Sequence, residues 1–260
     1  MRLLTSSPTI LQMHRFYLPP ERCADAMLRL EGREAHHALH VLRLRRRECV
    51  TVLDGAGHEF SCEVENCSRE SLTMRMMKKN FVPALPCSIT LLQAVPRGKI
   101  IESIIQKAVE LGVRRIAPLL TERAVMRLDD KDVLEKQGKW QQVAIEAIKQ
   151  CGAVWLPKIE TPVTPTQFLA RKEKFDLSLV GSLQTERRHP RECFREFETK
   201  HGHLPQSIGV WIGPEGDFTL DELKAIQAGG ALPISLGRLV LRVETAAIYC
   251  LSILNYELNR

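Results

Sequence analysis

A regular alternation of strand-like and helical segments after residue 86 constrains the fold more than any other feature of the sequence. Apolar runs of strand length alternate with stretches in which apolar residues recur at helical spacing, as at Ile101, Ile104, Ile105 and Ala108. The predicted strands are 88–95, 116–120, 175–181, 207–213 and 232–236, and the predicted helices are 101–112, 131–150, 219–228 and 244–256. This alternation predicts an α/β domain with a mostly parallel sheet covered on both faces.

The first 80-odd residues have a different pattern. Short strand-like runs occupy 49–54, 59–64 and 71–76, and Asp54-Gly55 is typical of a tight turn between the first two. Residues 81–86 contain Pro83 and Pro86 and are interpreted as a linker. We therefore expect a small β-rich domain over 1–84 and an α/β domain over 85–260, with residues 1–12 as a dispensable extension ahead of Met13.

The charge of the chain is concentrated near its start. Hydrophobic residues make up 44% and charged residues 26%, a composition that excludes a disordered chain, a collagen or a coiled coil. The net charge is +6, and residues 15–47 contribute +4 of it through eight arginines against four acidic residues. Such a cluster is either a solvated face or a surface that holds a polyanion such as an RNA backbone.

The cysteines and apolar stretches indicate a cytoplasmic protein. The eight cysteines are scattered without a CxxC pair, so zinc-ribbon and redox spacings are absent and reduced thiols are expected. The longest uncharged stretch, residues 80–96, contains three prolines and is not a membrane-spanning helix. The N-terminus lacks the uniform apolar core of a signal peptide, so no membrane partner is expected.

Several common ligand motifs are missing. The sequence has no GxxxxGK[ST] loop, no GxGxxG after a predicted strand and no GxSxG elbow, which argues against P-loop, dinucleotide and nucleophile-elbow chemistry. His36, His37 and His40 do not have metal-ligand spacing, and we interpret them as surface or RNA-facing residues. No metal cofactor is expected.

The first candidate site segment is 212–219, which contains the sequence GPEG at 213–216. It leaves a predicted strand and enters a helix whose Thr219 and Glu222 form a capping-box pattern. Glycines on either side of Pro214 leave bare backbone, against which a ligand can lie close to main-chain N–H and C=O groups. The alternative interpretation is an ordinary strand-to-helix turn in which Glu215 is a solvated carboxylate.

The second candidate segment is 235–246. A strand ends at Gly237, a short apolar loop follows, and a helix begins near Glu244. A helix N-terminus favours a carboxylate, so the helix alone explains Glu244. It does not explain Arg242, because a cation beside a helix start usually has an anionic partner.

These two segments, in this order, resemble the SPOUT superfamily of methyltransferases. GPEG at 213–216 precedes LGRLVLRVETA at 236–246, and the closer resemblance is to the RsmE family of 16S ribosomal RNA uracil-N3 methyltransferases. Further matches are RFYLP at 15–19, HVLR at 40–43 with Asp54-Gly55, QKAVELGV at 106–113, TER at 121–123, and Glu146-Ala147 with Gln150. The resemblance therefore runs nearly from end to end.

The resemblance implies a fold and a reaction. The fold is an N-terminal PUA-like β-barrel that binds RNA, followed by a homodimeric α/β domain with a C-terminal trefoil knot. The reaction is S-adenosylmethionine-dependent methylation of N3 of a specific uridine in 16S ribosomal RNA of the 30S small ribosomal subunit, without a metal. Arg242 would stabilise the uracil anion, and Glu244 would orient Arg242 or accept a proton.

The resemblance also implies the residues of each site. The cofactor would be held by Val180, Gly181, Ile212, Gly213, Pro214, Glu215, Gly216, Ser235, Leu236, Gly237, Val240, Leu241, Arg242, Thr245 and Ala246. Leu236, Val240 and Leu241 would sandwich the adenine. The RNA would be contacted by Arg15, Arg43, Arg45, Arg46, Arg97, Lys99 and Arg123.

Some positions depart from the family pattern. Asp217 stands where a second glycine usually follows GPEG, Leu239 replaces an arginine, Lys149 and Ala153 replace a glutamate and an arginine, and Ile100 replaces a lysine. Two alternatives therefore remain beside the uracil-N3 enzyme. One is a SPOUT enzyme that acts on tRNA or on 23S ribosomal RNA ribose, and the other is a catalytically impaired RNA-binding or ribosome-assembly protein.

Overall fold

The structure is a computed structural model that describes residues 14–123, 130–183 and 187–259. The predicted N-terminal extension, residues 1–12, lies outside the described residues. The chain divides into two compact units, Met1–Val82 and Pro83–Arg260, and each has a hydrophobic core of its own.

The N-terminal unit is built on a five-stranded sheet. Its order is β1-β3-β4-β5-β2, in which β1 runs parallel to β3 and the other neighbours are antiparallel. The strands are β1 (Arg15–Tyr17), β2 (Met27–Glu31), β3 (Cys49–Leu53), β4 (His58–Cys67) and β5 (Ser71–Phe81). Helix α1 (Gly32–His36) follows β2 and continues as one π-helical turn over His37–Val41.

Alternation of buried and exposed side chains holds this sheet together. In β2, Leu28 and Leu30 point into the core while the alternate residues Met27, Arg29 and Glu31 are exposed, as expected for a sheet with one buried face. Phe16 from β1 and Phe60 from β4 are also fully buried, and each such side chain contributes about 1.5–3 kcal/mol. β4 and β5 form a long hairpin whose pairing shifts twice, which bends the sheet.

The N-terminal unit differs from the expectations in three ways. β5 continues to Phe81, which pairs with His58. The linker predicted over residues 81–86 therefore begins at residue 82. β1 and β2 were not predicted, because arginines dominate the pattern of their segment. No ladder joins β1 to β2 among the described residues, so the sheet is open, not a closed barrel. Pro19 and Pro20 after the three-residue β1 cannot donate to a further ladder.

The C-terminal unit is a six-stranded sheet in which every neighbouring pair is parallel. Its order is β11-β9-β10-β6-β7-β8. The strands are β6 (Ser88–Ala94), β7 (Arg115–Leu119), β8 (Lys158–Ile159), β9 (Leu177–Gly181), β10 (Ser207–Ile212) and β11 (Leu232–Ile234). The helices are α2 (Ile100–Glu110), α3 (Asp130–Cys151), α4 (Pro165–Ala170), α5 (Pro190–His201), α6 (Leu220–Ala228) and α7 (Val243–Leu258).

The mixed α/β architecture that the sequence predicts is confirmed. Every residue of β6 after Ser88 is buried, as a strand covered on both faces requires. All five predicted strands and four predicted helices of this unit are present, with ends shifted by a few residues. β8, α4 and α5 were missed: β8 has two residues, α4 has one and a half turns, and α5 is mostly charged.

The sheet order gathers four loops at one edge. The carboxyl ends of β9, β10 and β6 are adjacent, and β11 flanks β9. In parallel sheets of this kind, ligands bind outside the carboxyl ends where the strand order reverses. The predicted site segments follow β10 and β11, so they meet at this edge. Helix α7 then packs against α2.

In the described parts of the chain, no helix is long and apolar enough to span a bilayer.

Candidate active site

A cavity of about 420 Å³ lies at the carboxyl edge of the C-terminal sheet. Its volume is within the roughly 300–1,000 Å³ usual for small-molecule sites. Its walls come from the loops after β9, β10 and β11 and from the first turn of α7, together with Ile100 at the start of α2. It is lined by Ile100, Gly181, Ser182, Leu183, Arg187, Ile212, Gly213, Pro214, Glu215, Asp217, Leu236, Gly237, Leu239, Val240, Leu241, Arg242, Val243, Glu244 and Ala246.

The loop after β11 supplies an apolar wall. Leu236 and Leu241 are half-buried, whereas Leu239 and Val240 are 79% and 77% exposed. Large apolar side chains this exposed beside a cavity offer a surface that a flat aromatic ligand can cover. Gly237 has a φ of +109°, a conformation that glycine adopts without strain, and it allows the chain to leave β11 sharply.

Charged groups face the cavity from several sides. Arg242 occupies the N-cap position of α7 with an extended backbone, and its guanidinium makes no capping bond. Glu244 lies in the first turn of the same helix, and Arg187 comes from the segment after β9. The first amide groups of a helix point outward with partial positive charge, so Arg242 and the α7 N-terminus together favour an anion here.

The turn after β10 is tied to three other loops by three consecutive residues. Glu215 Oε1 accepts a hydrogen bond from the backbone N–H of Arg97 at 3.1 Å, in the loop after β6. The Gly216 carbonyl accepts one from the Arg123 guanidinium, in the loop after β7. The Asp217 carboxylate accepts one from the backbone N–H of Leu183 at 3.3 Å, in the loop after β9. This turn therefore sets the relative positions of its neighbours.

Close approach explains the glycine at the start of this turn. A Cβ atom on Gly213 would lie 3.0 Å from Asp217 Oδ1 and 3.2 Å from the Phe218 nitrogen. Those contacts are tighter than ordinary van der Waals packing allows, so a side chain here would push the turn open.

Most of the predicted cofactor-binding residues line the cavity. Four of them do not: Val180 is fully buried in β9, the Gly216 carbonyl faces Arg123, the Ser235 hydroxyl donates to the Gly237 carbonyl at 3.3 Å, and Thr245 is exposed on α7. The predicted catalytic residues Arg242 and Glu244 both line it.

The cavity also includes residues that were not among the predicted site residues. These are Ile100, Ser182, Leu183, Arg187, Asp217, Leu239 and Val243. Most flank predicted residues in the same loops, so a wider window around each motif would have found them. Arg187 carries no such signal, because it belongs to none of the motifs that the sequence analysis singled out.

The predicted RNA-contacting residues are all exposed. Arg15, Arg43, Arg45 and Arg46 lie in the N-terminal unit, and Arg97, Lys99 and Arg123 lie in loops at the carboxyl edge of the C-terminal sheet. Two other arginines of the 15–47 cluster are partly neutralised, because Arg22 and Arg29 contact Glu31 at 2.9 and 3.1 Å. The charge available to a polyanion therefore comes mainly from the segment after α1.

Histidine and cysteine side chains show no sign of separate chemistry in the described residues. The rings of His36 and His40 lie 4.7 Å apart, and the described chain holds no group of three or more side chains able to bind a metal ion. Burial raises the pKa of Cys23 to about 11 and those of Cys62, Cys87 and Cys250 to about 12. These thiols stay protonated at neutral pH and are poor nucleophiles.

Comparison with known families defines the class of protein. Residues 83–255 match a family described as an RNA methyltransferase domain, and residues 30–75 match an RNA methyltransferase PUA domain. The cavity lies within the first of these matches. The chain is thus an RNA methyltransferase with a PUA domain.

Individual relatives narrow the class. The chain is 31% identical to ribosomal RNA small subunit methyltransferase E of Synechocystis over 96% of this chain and 80% of that protein. It is 28% identical to the protein of the same name from Bacillus subtilis over 88% and 89% of the two chains. The chain belongs to the ribosomal RNA small subunit methyltransferase E family.

Solved structures agree with this assignment. A Legionella pneumophila methyltransferase solved with bound S-adenosylmethionine superposes with a TM-score of 0.84 at 32% identity, covering 94% of this chain and 98% of that one. The Neisseria gonorrhoeae ribosomal RNA small subunit methyltransferase E, also bound to S-adenosylmethionine, superposes with a TM-score of 0.82 at 26% identity and with the same coverage of both chains.

Proposed function

We propose that this protein transfers the methyl group of S-adenosylmethionine to N3 of a specific uridine in 16S ribosomal RNA of the small ribosomal subunit. The observation that carries the proposal is the cavity at the carboxyl edge of β9, β10 and β11, with Arg242 and the α7 N-terminus beside an apolar wall. Membership of the family supports the substrate, and the cofactor-bound relatives support the cofactor.

The cavity fits S-adenosylmethionine in size and chemistry. Leu236, Val240 and Leu241 would lie against the adenine ring, and the bare backbone at Gly213 and Gly237 would meet its polar edges. When bound, S-adenosylmethionine supplies an already activated methyl group, so the protein contributes positioning and electrostatics.

Arg242 and Glu244 serve the nucleophile in this proposal. Uracil N3 carries a proton at neutral pH, and removing it leaves negative charge on the ring. Arg242, assisted by the amide groups at the start of α7, stabilises that charge. Glu244, two residues further on, orients Arg242 or accepts the N3 proton. The target base has to be unpaired or flipped out, because N3 is buried in a duplex.

The RNA would be held by both units. We assign residues 1–84 to a PUA-like RNA-binding domain and residues 85–260 to the methyltransferase domain. Phosphates would be contacted by exposed basic side chains, which are Arg15, Arg43, Arg45 and Arg46 in the first domain and Arg97, Lys99 and Arg123 in the second. Such contacts provide affinity and register, not base specificity.

The proposal includes a SPOUT knot and a homodimer. β11 lies at one edge of the sheet beside β9, whereas α7 packs against α2 and contacts β10, so the loop between them has to cross the carboxyl ends of β9 and β10. That crossing supports a threaded chain. Tyr249 and Tyr256 on α7 are 47% and 67% exposed and would suit an interface with a second copy. A ribosomal substrate supports a cytoplasmic location.

Methyl transfer to undermethylated small subunits tests the proposal. The purified protein and labelled S-adenosylmethionine are incubated with 30S subunits that lack the modification, and the modified nucleotide is mapped by mass spectrometry. Label on N3 of a single uridine is expected. Label on a ribose or on another base would overturn the assignment, and absence of S-adenosylmethionine binding in calorimetry would favour the catalytically impaired RNA-binding protein.

A further inference from the structure

Asp217 has an unusual backbone conformation for its residue type. It ends the turn after β10, is half-buried, and has a φ of +61°. This left-handed region is unfavourable for residues with a Cβ atom, and aspartate tolerates it chiefly when its carboxylate forms hydrogen bonds nearby. A residue kept in this conformation beside the cavity needs an account of what its side chain does.

The Asp217 carboxylate uses its two oxygens in two different directions. Oδ1 accepts a hydrogen bond from the backbone N–H of Phe218 at 2.8 Å, a local bond that supports the turn. Oδ2 accepts a hydrogen bond from the backbone N–H of Leu183 at 3.3 Å. Leu183 lies 34 residues earlier in the sequence and forms part of the opposite cavity wall. The side chain therefore spans the two walls.

The wall that Asp217 reaches is also attached to the sheet. Beyond the end of β9, the Ser182 N–H donates to the Ile234 carbonyl at 3.2 Å, and the Arg187 guanidinium donates to the Ser182 carbonyl at 3.2 Å. The next residue, Leu183, is 50% exposed, so packing holds its side chain only in part. Its backbone N–H bond to Asp217 Oδ2 joins this wall to the turn after β10.

We propose that Asp217 is a positioning residue for the cofactor: it holds the wall 181–183 against the turn 213–217, so that the cavity exists before S-adenosylmethionine arrives. A wall ordered in advance costs the ligand less conformational entropy on binding. The proposal rests on the proposed location of the cofactor site.

Two substitutions at Asp217 and one control test it. Asp217→Gly removes both bonds but accepts the positive φ, so the fold is expected to stay intact. Asp217→Asn also tolerates that φ and keeps one accepting oxygen in place of two. Asp221→Asn removes an exposed carboxylate four residues away in α6 that does not line the cavity. Calorimetry should show the Kd for S-adenosylmethionine raised about tenfold in Asp217→Gly, about threefold in Asp217→Asn, and unchanged in Asp221→Asn.

Steady-state kinetics separate positioning from general support of the fold. With Asp217→Gly, KM for S-adenosylmethionine should rise while KM for the RNA subunit and the melting temperature stay near the unmodified values. Two results would overturn the role of Asp217 and leave the proposed function standing. One is a folded Asp217→Gly protein whose Kd for S-adenosylmethionine is within twofold of normal. The other is an equal rise in KM for the cofactor and for the RNA. Failure of the unmodified protein to bind S-adenosylmethionine would overturn the proposed function as well.

Discussion

At the scale of single residues, Arg242 combines two sources of positive potential. Its guanidinium is a cation, and its N-cap position places it beside the amide dipoles of the 16-residue helix α7. Arg238 belongs to the same loop and is exposed, yet it does not line the cavity. Position on the helix, and not charge alone, therefore distinguishes the proposed catalytic arginine from its neighbour.

Replacing Arg242 by alanine should abolish most of the turnover. Loss of one preorganised group that stabilises developing negative charge typically lowers kcat by about 10²–10³-fold. RNA affinity should be largely retained, because the proposed phosphate contacts lie at other residues. Single-turnover methylation and filter binding measure the two effects, with Arg238→Ala as the matched control. An Arg242→Ala protein with normal turnover would remove Arg242 from the mechanism.

Asp54 is a second residue whose role can be stated from its contacts. It is 3% exposed and sits between β3 and β4, where its carboxylate accepts bonds from the Ala56 and His58 backbone N–H groups at 2.7 and 2.9 Å. The other carboxylate oxygen lies 2.7 Å from Nδ1 of His58. Three bonds to one buried carboxylate fix the geometry of this turn.

Asp54→Ala should lower the free energy of unfolding by about 3 kcal/mol, because it leaves several donors without their acceptor. Urea unfolding measures this difference. Asp25→Ala, at an exposed aspartate of the same unit, should change the same quantity by no more than about 0.5 kcal/mol. Equal effects of the two substitutions would contradict the role assigned to Asp54.

At the scale of elements, an ion-pair network joins β7 to the loops around β8 and α4. Arg115 at the start of β7 contacts Glu160 at 3.3 Å and also pairs with Glu173, and Arg171 contacts Glu160 at 2.7 Å. Glu160 is 8% exposed, so these charges are partly desolvated. The network lies at the amino end of β7, away from the cavity, and its expected role is stability.

This network predicts a dependence of stability on pH. Hydrogen bonding to the Arg115 guanidinium lowers the pKa of Glu173. Its stabilising contribution is therefore complete above the unfolded-state pKa of about 4.3 and is lost as the pH falls through the lowered folded-state pKa. Glu173→Gln should reduce the free energy of unfolding at pH 7, and the difference from the unmodified protein should shrink on acidification below about pH 4.3.

Glu135→Gln is the control for that measurement. Hydrogen bonding to Lys139 lowers the Glu135 pKa too, but this pair on α3 is fully exposed, so water and salt screen it. Chemical unfolding between pH 3 and pH 7 should therefore show little effect of Glu135→Gln. A Glu173→Gln difference that stayed constant over this range would contradict the assigned ionisation.

At the scale of the whole molecule, RNA binding is expected to involve surfaces on both units. Replacing Arg43, Arg45 and Arg46 together by alanine should weaken RNA binding and reduce the slope of log affinity against log salt by about 2, since each lost phosphate contact contributes about 0.7–0.9. The affinity for S-adenosylmethionine should not change. Filter binding at several salt concentrations and calorimetry measure these quantities.

Arg29→Ala provides the comparison for the triple variant. Its guanidinium lies 3.1 Å from Glu31, so its charge is already partly neutralised. Its removal should change the slope of log affinity against log salt by less than the triple substitution does. An unchanged slope in the triple variant would place the RNA on another surface of the molecule.

Much of this architecture could be predicted from local patterns. The strands β6, β9 and β10 are buried on both faces and stand out as apolar runs, and the glycines around Pro214 mark the turn after β10. The strand order could not be predicted in this way, because pairing of β10 with both β6 and β9 depends on contacts distant in sequence. The same holds for Arg187 and for the link between Asp217 and Leu183, which no local pattern encodes.

The strand order has a consequence for how the chain is made. β10 lies between β6 and β9 although it is synthesised after both of them. At about 5–20 residues per second, on the order of ten seconds separates the emergence of β6 from that of β10. During that interval the edge of β6 that later pairs with β10 lacks its partner, and such an edge readily pairs with other chains. The centre of the sheet that borders the cavity is thus completed only when residue 212 has been synthesised.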